Sequence, residues 1–245
     1  MFTIKQNFCR EALGAILLLL VSCYAVCAQS TAGITGLLNS PSAEMSPDGT
    51  VKFGGNILNK DIMPDYWNYN TINFFMNITF LPFFEASITN TALDLWKDGR
   101  FSNIDRSINF KLRPLKEGKY WPAVVVGSND FITTSSELVA PVGGNRYFGK
   151  VYLALSKHFD INGHTIGLHA AYNYVTSSTL KIDFPVSGGI SYSPAFYKKM
   201  NIIAEYDTKN FNIGTNIILL KYVYLQVLFQ NLKYPSVGAH FQFTL

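Results

Sequence analysis

The chain has few cysteines, little charge and, beyond its first thirty residues, no long apolar run. Its three cysteines, Cys9, Cys23 and Cys27, all precede Gln29. A chain shortened to Gln29 would carry no thiol, which excludes a catalytic cysteine, a cysteine metal site and any disulfide. Charged residues make up 15% of the sequence, against about 25% in an average soluble domain. The formal net charge is +4 with no Lys/Arg run, so a nucleic-acid partner is not expected. A run of about 18 apolar residues is missing after the N-terminus, so no later helix is expected to span a membrane.

Apolar and aromatic residues are abundant, at 48% and 15%. That balance excludes a disordered chain, which needs low hydrophobicity and high charge. The N-terminus accounts for one concentrated stretch. Lys5 and Arg10 are followed by an apolar stretch from Ala12 to Val21, and Val26-Cys27-Ala28 places small residues before Gln29. This is the anatomy of a secretory signal peptide over residues 1–28. The stretch is shorter than the about 20 residues a spanning helix needs. A second reading takes Leu20-Val21-Ser22-Cys23 as a lipobox, with Cys23 lipidated; cleavage after Ala28 is favoured by the segment lengths.

The remaining chain alternates with period two. Ile72, Phe74, Met76, Ile78 and Phe80 oppose Thr71, Asn73, Asn77 and Thr79. Val223, Leu225, Val227 and Phe229 oppose Tyr222, Tyr224, Gln226 and Gln230. Such alternation makes strands with one apolar and one polar face. About twelve segments follow this pattern, starting near Val51, Thr71, Phe83, Ile104, Trp121, Tyr147, His164, Val186, Asn201, Phe211, Tyr222 and Ser236, each long enough to cross a bilayer at a tilt. Residues 58–70, 92–103, 128–145 and 176–185 form long connections, and 81–82, 114–119, 160–162 and 194–199 short ones. Aromatics gather near segment ends, as in Tyr66, Trp67 and Tyr69, or Tyr120 and Trp121. A soluble sandwich or lipocalin-like barrel also alternates, but its outer face would carry more charge than this chain has.

These features together predict an all-β fold: a transmembrane antiparallel up-and-down β-barrel of about twelve strands over residues 50–245. Residues 29–49 are expected to form an N-terminal periplasmic segment, with Pro41 and Asp48-Gly49 turning the chain into the first strand. The expected location is the outer membrane of a Gram-negative envelope, with the long loops outside. Outer-membrane lipids are the expected surroundings. The end of the chain, Ser236 to Phe243, resembles the C-terminal signal read by the barrel-assembly machinery, with Gly238, Phe241 and Phe243 as its marked positions.

Candidate lumen residues follow from the polar faces: Asp105, Lys111 and Arg113 on one strand, Lys150 and Tyr152 on another, Glu205 and Asp207 on a third, Tyr222 and Tyr224 on a fourth. Charges inside a narrow barrel commonly pair with one another. Tyrosine rings there can also stack on sugars. The four histidines, His158, His164, His169 and His240, begin no metal-binding spacing such as HExxH. None has a convincing catalytic partner nearby, with strand neighbours left open. No catalytic residue, metal or cofactor is therefore expected.

Three stretches carry a resemblance: Gly33 to Gly54 (GITGLLNSPSAEMSPDGTVKFG), Asp105 to Phe131 (DRSINFKLRPLKEGKYWPAVVVGSNDF) and Tyr152 to Phe159 (YLALSKHF). They are similar to the YjbH family of outer-membrane proteins linked to exopolysaccharide production. The resemblance implies a non-catalytic role in polysaccharide export or surface assembly, with polysaccharide or envelope secretion proteins as partners. Two other roles suit the same barrel. One is a general small-solute porin; the other is a structural or adhesive barrel acting through its loops.

Overall fold

The computed structural model describes residues 27–63, 70–93, 103–133, 148–176 and 182–245. The signal-peptide reading, the lipobox at Cys23 and the tips of four long loops lie outside these residues.

Twelve antiparallel strands close into one barrel. They are β1 (Thr50–Leu58), β2 (Thr71–Phe80), β3 (Phe84–Leu93), β4 (Asn103–Leu115), β5 (Ala123–Thr133), β6 (Lys150–Ile161), β7 (His164–Val175), β8 (Val186–Ser193), β9 (Met200–Tyr206), β10 (Phe211–Leu219), β11 (Val223–Gln230) and β12 (Tyr234–Thr244). Each strand pairs with its sequence neighbours, and β1 pairs with β12 from Thr50↔Thr244 to Ile57↔Val237. Closure leaves no unpaired edge. The strands begin within three residues of the positions that alternation predicts. One difference lies in β5, where Ser128-Asn129-Asp130 looks like a strand end in sequence. The strand instead runs on to Thr133 through a register shift against β4. Asp130 takes φ 51° there, and its N–H donates to Asn109 Oδ1 at 2.7 Å. The bulge takes up two extra residues of β5 and lets pairing continue.

The tight connections are built by left-handed residues. Asn162 and Gly163, with φ 50° and 83°, join β6 to β7. Two positive φ values in succession match the twist of a two-residue hairpin. The turns 81–83, 162–163 and 220–222 share one end with both chain entry and exit, and the equally short 231–233 turn lies at the other end.

The two barrel faces differ sharply. Phe74, Met76, Ile88, Leu153, Tyr172, Ile190 and Ile213 point outward and are exposed. Such large side chains recur around the wall, far beyond the scattered apolar exposure of soluble monomers. Inward, Asn73, Asn77, Thr79, Glu85, Lys111 and Asn216 are wholly buried. Polar side chains that face a lumen yet are buried require something to cover them.

That cover is the segment preceding β1. From sequence, residues 29–49 form a separate periplasmic lead; in the structure they fold into the barrel. Two bridges, Gln29↔Thr35 and Gly36↔Pro41, give the segment local order. A turn, Leu37 N–H to Ser40 O at 2.9 Å, sits between the latter pair. Gly33 permits the tightest approach. Its φ is +77°, and a Cβ there would stand 2.6 Å from Phe75 Cβ. Leu37 and Leu38 pack with Ala28, Ile203 and Leu228, and Ala43 packs with Ala123, Val125, Tyr152, Ala154 and Ala171. Burying a leucine is worth about 1.5–3 kcal/mol. Without period-two alternation the segment cannot join the sheet, so its amides need partners from the wall.

Candidate functional site

The barrel wall supplies those partners from its inward charges. Glu205 on β9 accepts three consecutive backbone N–H groups, from Leu38 at 3.0 Å, Asn39 at 2.8 Å and Ser40 at 3.1 Å. Asn212 Nδ2 supports the same carboxylate at 2.9 Å. Across the lumen, Glu85 on β3 accepts from Thr35 N–H at 2.6 Å and Asn77 Nδ2 at 2.7 Å. Lys52 Nζ donates to Gln29 Oε1 at 2.8 Å and Thr35 Oγ1 at 3.0 Å. Lys111 Nζ donates to Thr35 O at 2.7 Å and also to Glu44 O. Hydrogen bonds to charged groups are the stronger kind, each worth about 1.5–3 kcal/mol.

Neutral groups complete the cradle. Asn109 and Thr89 donate to Ala32 O at 3.0 and 2.9 Å. Asn77 Nδ2 donates to Gly33 O at 3.2 Å. Ala43 N–H donates to Ser156 Oγ at 2.7 Å.

The residues picked from sequence occupy this interior unevenly. Asp105, Lys111, Tyr152, Glu205 and Tyr224 are buried. Tyr224 OH accepts the Gln29 N–H at 3.0 Å, and its ring stacks on His240 at 4.0 Å between centroids. Lys150 Nζ reaches Asn39 O at 3.5 Å. Asp207 accepts from Asn39 Nδ2 at 3.1 Å and Asn212 Nδ2 at 2.8 Å. Arg113 sits at the rim and donates to Pro82 O at 2.6 Å. Tyr222 lies at the mouth and is half exposed, with the Lys221 ammonium 5.5 Å from its ring centre. Gly238 faces Asn56, while Phe241 and Phe243 face outward and Phe241 stacks on Phe53 at 5.4 Å.

Several residues were missed from sequence. Lys52 and Glu85 oppose Phe53 and Phe84 on their strands, a visible signal for inward charge. Glu44 gave none, because nothing placed its segment in the lumen.

The histidines require a correction, because two of them, His158 and His169, meet carboxylates or serines. β6 and β7 pair Ser156 directly with His169. His169 Nδ1 lies 2.8 Å from Ser156 Oγ, and its Nε2 lies 3.0 Å from Ser191 Oγ. His158 Nδ1 meets Glu117 Oε2 at 2.7 Å, and its Nε2 meets Glu44 Oε1 at 2.9 Å. These partners come from other strands, the turn and the N-terminal segment, where sequence proximity gives no warning. Both ring nitrogens of His169 are taken by serines, so the carboxylate that orients a triad histidine has no place there. The Ala43 amide also covers Ser156. Burial opposes ionisation of Glu44 and Glu117. Hydrogen bonds from His158 outweigh it and hold both carboxyls below the usual range.

Comparison with known proteins adds a family. Two solved structures of mutant porins from Rh. blastica are similar, each at 13% identity. One has a TM-score of 0.31, with 71% of this chain and 55% of that chain covered. The other, a triple mutant of the Rhodopseudomonas blastica porin, also scores 0.31, with 81% and 75% covered. This chain thus spans about half the length of the first porin. A search of curated proteins found no match. The family model YjbH, described as exopolysaccharide biosynthesis protein YbjH, matches residues 28–243. That match takes in both the barrel and the segment inside it, and the chain belongs to the YjbH exopolysaccharide biosynthesis family.

Proposed function

We propose that the protein is an outer-membrane barrel serving exopolysaccharide export or surface assembly without catalysis, held closed at rest by residues 28–49. The observation that carries this reading is a closed barrel with an apolar outer wall and a polar lumen filled by its own chain. A wall of that polarity suits lipid, because closed barrels satisfy every backbone group internally. The long connections would face outward and both ends inward. The filled lumen disfavours a general porin.

Two experiments bear on this reading. Deletion of the gene is expected to lower surface polysaccharide, measured on intact cells against a complemented strain. Unchanged polysaccharide would end the export reading. Complementation by Lys111→Ala/Arg113→Ala should be partial, because Lys111 holds the segment while Lys52, Glu85 and Glu205 remain. A second result concerns assembly. Phe241→Ala with Phe243→Ala removes two outward aromatics from the closing strand, including the stack on Phe53. Outer-membrane yield of heat-modifiable protein should fall several-fold; an unchanged yield would remove these positions from the insertion signal.

A further inference from the structure

A cluster beside Ala43 has no part in that reading. Glu44 comes from the N-terminal segment, His158 from β6 and His169 from β7. One donor atom from each lies within 4.8 Å of the others. We propose that these three residues bind a divalent transition metal ion of the zinc class, which staples the segment to the barrel wall. The inference rests on the local geometry and stands or falls separately from the export reading.

The donor set is two imidazoles and one carboxylate, a known three-residue set for zinc that leaves a fourth position open. Imidazole also suits copper, nickel and iron, while the chemistry disfavours calcium and magnesium. The surroundings orient the ligands. Glu117 accepts at His158 Nδ1, 2.7 Å away, leaving Nε2 directed at Glu44. A carboxylate behind a ligating histidine fixes its tautomer and raises its basicity. Ser156 holds His169 Nδ1 at 2.8 Å, so Nε2 is the ligand atom, and Ser191 would yield it. Lys111 touches Glu44 through the backbone oxygen, which keeps the carboxylate available.

Space for the ion is kept by a missing side chain. A Cβ at Gly167 would lie 2.6 Å from His169 Nε2, 3.0 Å from His158 Cδ2 and closer still to Ser191 Oγ. Binding closes the donors to roughly 3.3 Å apart, as metal–ligand distances of about 2.0–2.2 Å dictate. The ion takes the place of the proton between His158 Nε2 and Glu44, which leaves to solvent, while His169 binds as its neutral tautomer with the proton on Nδ1.

The test uses the untagged, full-length folded barrel in detergent, stripped of metal and titrated with Co²⁺ alone. Wild type should show a visible d–d absorption band saturating at one equivalent, and Zn²⁺ should displace it. His158→Ala and His169→Ala should lose the band while keeping heat-modifiable migration. Glu117→Gln should weaken affinity about 10–100-fold, as loss of an outer carboxylate does. Absence of saturable Co²⁺ or Zn²⁺ binding to wild type would overturn the proposal whether or not the variants fold. Binding unchanged in His169→Ala would overturn it too.

Discussion

Removal of residues 30–46 is expected to turn a closed barrel into a conducting one. The ladder does not depend on that segment, since β1 and β12 pair along eight residue positions and every other strand has its sequence neighbours. Lys111, Glu85 and Glu205 would exchange backbone partners in the segment, and Lys52 the Thr35 hydroxyl, for water, which an open lumen admits. In planar bilayers the intact protein should show no steady conductance, and the deletion variant a sustained open level. Ordinary heat-modifiable migration would show that the variant still folds. Steady conductance from the intact protein would favour the general-porin reading instead.

The second large effect is expected at Glu205. Three consecutive amides of the turn at Leu38 converge on its carboxylate. Glu205→Ala leaves them without an acceptor in a buried place. Each unsatisfied buried group costs about 1–3 kcal/mol, so docking of the segment should weaken by several kcal/mol. Glu205→Gln keeps one oxygen but adds an amide donor beside three N–H groups, and should lie between. Asp207→Asn should cost less, since Asp207 takes only the Asn39 side chain from the segment. Limited proteolysis of the folded protein is the check: cleavage within residues 28–49 should rise in the order wild type, Asp207→Asn, Glu205→Gln, Glu205→Ala. Equal resistance in wild type and Glu205→Ala would contradict this account of docking.

These effects mark where sequence stops being informative. Alternation locates the strands because each residue's face is set by its neighbours two positions away. It also gives the inward direction of Asp105, Lys111 and Glu205. What those charges bind is not local. Residues 29–49 lack alternation, contain Pro41 and Gly33, and so resemble a lead into β1. Their destination follows from a lumen lined with Glu85, Lys52 and Glu205, residues spread from β1 to β9. The His158–His169 contact likewise depends on register across the β6–β7 hairpin. Its carboxylates come from Glu44 and Glu117, far from both histidines in sequence. The stretch Gly33 to Gly54 carried a family resemblance, and its first half proves to be lumen filling.

The central claim is that residues 28–49 occupy the lumen of the folded protein. Thiol protection at position 38 tests it most directly, because Leu38 is completely buried. A background with Cys9→Ser, Cys23→Ser and Cys27→Ser removes all three cysteines of the chain. Into it go Leu38→Cys and, as a control, Leu232→Cys in the exposed β11–β12 turn. With a small water-soluble maleimide, position 232 should label rapidly, and position 38 should label only after denaturation or in combination with Glu205→Ala. Rapid labelling of position 38 in the native barrel would contradict a lumen closed by its own N-terminal segment.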